Sequence, residues 1–121
     1  MSNILIVEDN TDIAVLYQRA LMQHQNTVAS SAEDATRLLD QQHFDLIILD
    51  MHLPERSGLY LLEFIRHHSS SSISTTKVFV ISADDLLREP CRALGIQAWM
   101  TKPIELDELM TTVHKLLSSH H

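Results

Sequence analysis

Leu46-Ile47-Ile48-Leu49 is an unbroken aliphatic run that stops on a single acid, Asp50, with Met51-His52-Leu53-Pro54 behind it. A run with no polar face fits a strand covered on both sides, as in a parallel sheet layered with helices. Ile4 to Val7 ahead of Glu8-Asp9, and Val78 to Ile81 ahead of Ser82-Ala83-Asp84, repeat the pattern. Each run ends on polar groups that fall just outside the strand, at its carboxyl end. Ligands of open parallel sheets sit outside those ends. Asp50 is thereby placed where chemistry can happen.

Helical stretches separate these runs. Ile13, Leu16, Tyr17, Ala20 and Leu21 recur at helical spacing and predict one apolar stripe facing a sheet, after an N-cap at Asn10 or Thr11. Thr27-Val28-Ala29 predicts a weak strand at or near an edge. Ser30 and Glu33 have capping-box spacing ahead of a short helix with Ala35, Leu38 and Leu39. After a turn with Pro54 and Gly58, Leu61, Leu62, Phe64 and Ile65 predict a third helix that fades at His67-His68. Ser69 to Thr76 is nearly all Ser and Thr, and is expected to be a mobile loop on the side of the sheet away from Asp50. Pro90 lies inside the next helical stretch, Leu86 to Leu94, so that helix starts late, near Glu89, or is broken there. Gly95 can close it. Gln97 to Met100 predicts a short final strand before Thr101-Lys102-Pro103. Leu106, Leu109, Met110, Val113, Leu116 and Leu117 predict a closing helix. Strand then helix, five times over, predicts an α/β fold: a doubly wound five-stranded parallel sheet with helices on both faces.

The 121 residues suffice for one core and not for two, and no linker divides them. Residues 1–118 are expected to form the domain, with 119–121 a tail that is either native or the remnant of a purification tag. Aromatics are only 5% of the chain, so the core must be built mainly from Leu, Ile and Val. A formal charge of −7 argues against a nucleic-acid surface, which needs a basic face. No run approaches the roughly 18–20 apolar residues of a membrane span. The start, Met1-Ser2-Asn3, lacks the basic residues of a signal peptide. One cysteine, Cys91, allows no internal disulfide and fits a reducing cytoplasm.

In a parallel sheet the carboxyl ends of the strands point the same way, so Glu8, Asp9, Asp50, Ser82 and Lys102 can converge on one pocket. Three carboxylates meeting without a cation would repel and drive their pKa values up. A hard divalent ion answers that need. Mg²⁺ binds through one or two carboxylates plus phosphate oxygens, and Mn²⁺ can substitute. Lys102 supplies a fixed second positive charge. The set suits phosphoryl transfer to a carboxylate, with Asp50 as nucleophile, charge neutralised by metal and lysine, and the Ser82 hydroxyl on a phosphate oxygen.

Glu8-Asp9, Asp50 with Pro54 and Gly58 behind it, Ser82-Ala83 and Lys102-Pro103 together resemble the response regulator receiver domain. The likeness runs over essentially the whole chain. It implies the flavodoxin-like strand order 2-1-3-4-5. It implies Asp50 as phosphoacceptor and Mg²⁺ on Glu8, Asp9, Asp50 and the backbone carbonyl of His52. Ser82 becomes the switch hydroxyl, Lys102 the phosphate-binding cation and Trp99 the switch aromatic. His52 and Asp84 fall at the two positions that set phosphate lifetime in relatives. The Lys102-Pro103 bond is implied to be cis. The implied donor is a phosphohistidine on a sensor histidine kinase or a histidine phosphotransfer protein. The face made by the fourth helix, fifth strand and fifth helix would then change its preference for an output domain or protein, or form a phosphorylation-dependent homodimer. No direct nucleic-acid or membrane contact is expected of this domain. It would be a switch that catalyses only its own phosphoryl capture and slow hydrolysis.

Each residue has a plainer reading. Asp50 can be a cap after a strand, Glu8-Asp9 a solvated pair at a helix start, Lys102 a surface charge, and Trp99 a half-buried core residue. What lifts them is their coincidence at four strand ends. The eight histidines include only adjacent pairs, His67-His68 and His120-His121, without the i, i+4 spacing of a helical metal site. A phosphatase with an aspartyl nucleophile is the main rival, but such enzymes usually carry a second acid two residues on, where this chain has His52. A flavin carrier of the same topology needs a phosphate-cradling loop where Glu8-Asp9-Asn10 stands.

Overall fold

The computed structural model describes residues 2–118, so the expected tail at 119–121 lies outside the described residues. Five parallel strands, β1 (Asn3–Val7), β2 (Gln25–Ala29), β3 (Leu46–Asp50), β4 (Lys77–Ser82) and β5 (Ala98–Thr101), form one sheet in the order β2-β1-β3-β4-β5. The helices are α1 (Thr11–Ala20), α2 (Ala32–Gln41), α3 (Gly58–Arg66), α4 (Ser71–Ser74), α5 (Arg88–Leu94) and α6 (Leu106–Ser118).

The aliphatic runs are buried on both faces because side chains alternate across each strand. Leu5, Val7, Ile47, Leu49, Val78 and Val80 enter a core that also holds Ala35, Leu61 and Cys91 from α2, α3 and α5. Ile4, Ile6, Leu46, Ile48, Phe79 and Ile81 enter the opposite core with Tyr17, Leu109 and Val113 from α1 and α6. The weak strand β2 is an edge, as its composition predicts, and β5 is the other edge.

Helix starts follow their caps. Asn10 Oδ1 accepts from the Ile13 N–H at 3.1 Å, choosing Asn10 over Thr11. The α2 cap is Ser31, one residue later than the capping-box spacing predicts; its Oγ accepts from the Asp34 N–H at 3.1 Å. The apolar stripe of α1 is narrower than predicted. Ala14, Tyr17 and Leu21 face the sheet, whereas Leu16, about 100° round the helix from Tyr17, is 47% exposed.

Two segments resolve what the sequence left open or mispredicted. Pro90 is the third residue of α5, in the first turn, where an N–H has no intrahelical partner to lose. A 3₁₀ turn at Asp85–Leu87 leads into it, and Gly95 at φ 91° closes it. The Ser-rich stretch is a short helix, α4, and not the loop predicted over 69–76. Consequently the face predicted from the fourth helix, fifth strand and fifth helix is α5–β5–α6. Among the described residues no helix is long and apolar enough to cross a membrane.

Candidate functional site

Sheet register decides which side chains meet. Val7 pairs with Leu49, Asp50 with Ile81, and Ser82 with Thr101, so the carboxyl ends of β1, β3, β4 and β5 lie side by side. Asp50 is the last residue of β3 and only 4% exposed. Lys102 directly follows β5, and its own bond to Pro103 is cis. Its Nζ lies 3.1 Å from Asp50 Oδ2 and 3.5 Å from Glu8 Oε1. The His52 N–H donates to Asp50 Oδ1 at 3.0 Å, and the Asn10 N–H donates to Glu8 Oε2 at 3.1 Å. Both oxygens of each buried acid therefore have a partner. Glu8 is buried and Asp9 exposed, and one carboxylate oxygen from each of Glu8, Asp9 and Asp50 falls within 4.8 Å of the other two.

A cavity of about 310 Å³ opens beside Asp50. Met51, His52, Ser82, Ala83, Asp84, Leu87 and Lys102 complete its lining. Asp50, His52, Ser82, Asp84 and Lys102 thus share this cavity, Glu8 and Asp9 meet Asp50 beside it, and Trp99 lies farther back on β5. The Ser82 Oγ accepts from the Asp84 N–H at 3.0 Å, and the Asp84 Oδ1 accepts from the Leu86 N–H at 2.9 Å. The Trp99 Nε1–H donates to Thr101 Oγ1 at 3.3 Å, and that hydroxyl donates to Asp85 Oδ1 at 3.0 Å.

Electrostatics sharpen the picture. Burial first, then the charge of Asp50, push the Glu8 carboxyl up to about 7, against the pull of the Asn10 amide and Lys102. Burial works to lower the Lys102 pKa, but the hydrogen bond and charge of Asp50, with Glu8 behind it, leave it raised. One lysine does not satisfy three acids. A cluster of oxygen-only donors that is short of positive charge is what a hard divalent cation fits.

Gly58 holds the site from behind. Its N–H donates to the Met51 carbonyl at 3.0 Å. A Cβ there would lie 2.5 Å from the Asp50 carbonyl oxygen and 2.7 Å from Met51 Cα. The sequence marked Gly58 as part of a turn and of the family resemblance, not as a point of close approach. A glycine a few residues after the acid was the available signal of close backbone approach. Tyr17 and the Asp85–Thr101 pair carried no comparable signal. Tyr17, pushed up to about 12 mainly by burial, sits near enough to feel Lys102, Glu8 and Asp50.

Comparison with known proteins agrees with this geometry. The response regulator receiver domain family matches residues 4–114. The transcriptional regulatory protein MalR of Bacillus subtilis is 32% identical over 99% of this chain and 54% of its own length. The sensor histidine kinase AruS of Pseudomonas aeruginosa is 36% identical over 88% of this chain and 11% of its own. The chain thus spans about half the length of that regulator and about a tenth of that kinase. The chemotaxis response regulator CheY4 of Vibrio cholerae superposes with a TM-score of 0.88 over 97% of this chain and 99% of its own; at 21% identity this speaks for the fold. A family match of this extent makes the chain a member of the response regulator receiver domains of two-component systems.

Proposed function

We propose that this domain takes a phosphoryl group from a phosphohistidine onto Asp50 and reports it through the α5–β5–α6 face. The observation that carries this reading is the environment of Asp50: buried, at a strand end, 3.1 Å from Lys102, within reach of two further acids, and beside a cavity.

In the transfer, an Asp50 carboxylate oxygen attacks phosphorus as the P–N bond of the phosphoimidazole breaks. The imidazole leaves with the electron pair and takes up a proton. The product is an acyl phosphate, later hydrolysed by water to inorganic phosphate and free Asp50. Glu8, Asp9, Asp50 and the backbone carbonyl of His52 would hold a Mg²⁺ ion. When bound there, it would supply charge neutralisation for the phosphoryl oxygens. Lys102 moves its ammonium from the Asp50 carboxylate to a phosphoryl oxygen. Ser82 turns its hydroxyl from the Asp84 N–H towards another. His52 and Asp84 border the phosphoryl group and set access of the hydrolytic water; Trp99 follows the movement of Ser82. The donor is a sensor histidine kinase or a histidine phosphotransfer protein. The recipient of the signal is an output domain, an output protein or a second copy of the chain. The setting is the cytoplasm.

Trp99 is the only tryptophan, so its emission reports this domain alone. Beryllofluoride with Mg²⁺, a stand-in for the bound phosphoryl group, is expected to change that emission in a saturable way, and Asp50→Asn is expected to abolish the change. An Asp50→Asn protein with an undiminished response would assign the site elsewhere.

A further inference from the structure

The Trp99 indole is tied at its nitrogen to Thr101, and Thr101 is tied to Asp85 on the turn that follows β4. Trp99 and Thr101 are two apart on β5, so their side chains share a face. The Thr101 hydroxyl commits its one O–H to the carboxylate and accepts from the indole N–H. Asp85 begins the 3₁₀ turn Asp85–Leu87, and its neighbour Asp84 is held by the Ser82 hydroxyl at 3.0 Å. Two sets of hydrogen bonds, Ser82–Asp84 and Asp85–Thr101–Trp99, are therefore joined through the peptide bond between Asp84 and Asp85. The first begins in the cavity beside Asp50 and the second ends on the edge strand of the α5–β5–α6 face.

We infer that Thr101 and Asp85 are positioning residues that latch Trp99 and the β4–α5 turn in the resting state, so that occupation of Asp50 must break the Asp85–Thr101 bond to move Trp99. This rests on the reading of Asp50 as phosphoacceptor. The Ser82 hydroxyl accepts from the Asp84 N–H at 3.0 Å and donates to the Asp84 carbonyl at 3.4 Å, so turning it towards a group on Asp50 gives up both contacts. Releasing that N–H frees Asp84, the cap residue ahead of the turn. The Asp85–Thr101 bond crosses from that turn to β5, so it is the contact that a shift of the turn strains first. Thr101 and Asp85 are both exposed, which keeps the latch weak enough for ligand binding to open. A contact made only in the resting state costs affinity for whatever stabilises the other state.

The test is a titration of the full chain with beryllofluoride in excess Mg²⁺, read by Trp99 emission and by acrylamide quenching. Thr101→Val keeps the β-branched shape at the strand edge and deletes the hydroxyl. It is expected to bind beryllofluoride about two- to fivefold more tightly, the size set by losing one or two exposed hydrogen bonds. Its emission and quenching before addition should already lie towards the saturated wild-type values. Thr101→Ser, which restores the hydroxyl, should return both readouts to wild type. Asp85→Ala should shift the resting emission in the same direction as Thr101→Val. A responsive wild type beside a Thr101→Val protein of unchanged affinity and resting emission overturns the latch alone. So does a Thr101→Ser protein that behaves like Thr101→Val, since shape and not the hydroxyl would then be responsible. A wild type with no response to beryllofluoride overturns the Asp50 reading and the latch with it.

Discussion

At the scale of single residues, the site depends on a missing side chain as much as on charged ones. Gly58 lies so close to the Asp50–Met51 backbone that a methyl group there has nowhere to go. Gly58→Ala is expected to lower stability by about 1–3 kcal/mol, the usual cost of forcing extra volume against backbone. Urea unfolding checks it; an unchanged midpoint would mean that the α3 start moves away freely. The acids and Ser82 were legible because each stands at the end of an aliphatic run, and Lys102 because it follows the last predicted strand. The packing role of Gly58 was not legible, because close approach is a property of two segments and not of one.

At the scale of elements, Arg66 shows what sequence periodicity cannot convey. From the end of α3 its guanidinium donates to the Gly95 carbonyl at 2.9 Å, the Thr76 carbonyl at 2.8 Å and the Ser74 carbonyl at 3.1 Å. It thereby joins α3, α4, the approach to β4 and the α5–β5 connection. Burial lowers its pKa. This anchor accounts for the helix that replaces the expected Ser-rich loop. Short hydroxyl side chains are poor helix formers. Here Thr75 Oγ1 donates to the Ser71 carbonyl at 2.7 Å and Thr76 Oγ1 to the Ser72 carbonyl at 2.9 Å, while His68 Nδ1 accepts from the Ser70 N–H at 2.9 Å. Ile73, the one apolar residue of the stretch, packs on the core. Tertiary contacts overrode propensity. Arg66→Met strands three carbonyls and is expected to cost about 2–3 kcal/mol. Amide hydrogen exchange should accelerate across residues 70–78 and 95–97, with β1 and β3 little changed. Exchange that rises evenly over the sheet would contradict a local anchor.

At the scale of the whole molecule, the fold was readable because a parallel sheet buried on both faces leaves a plain trace. Short aliphatic runs alternate with amphipathic helices, and each run delivers its last residue to the same edge. The strand order and the position of the edges followed from that alternation together with the family resemblance. What could not be read was how polar side chains meet across elements: the Asp85–Thr101–Trp99 chain and the Arg66 anchor each join residues that only the finished fold brings together. The molecule is thus a sheet whose two cores are fixed by aliphatic burial and whose polar edge is held by a few breakable contacts. That division lets one end change without disturbing the rest.

The central claim is that Asp50 accepts the phosphoryl group. It is tested most directly by incubating the protein with a small phosphodonor and Mg²⁺, reducing the product with borohydride, and locating the modified residue by tandem mass spectrometry. Homoserine is expected at position 50, formed by reduction of an aspartyl phosphate, absent when Mg²⁺ is chelated and absent in Asp50→Asn. A phosphoryl group mapped to another residue, with position 50 unmodified, would contradict it.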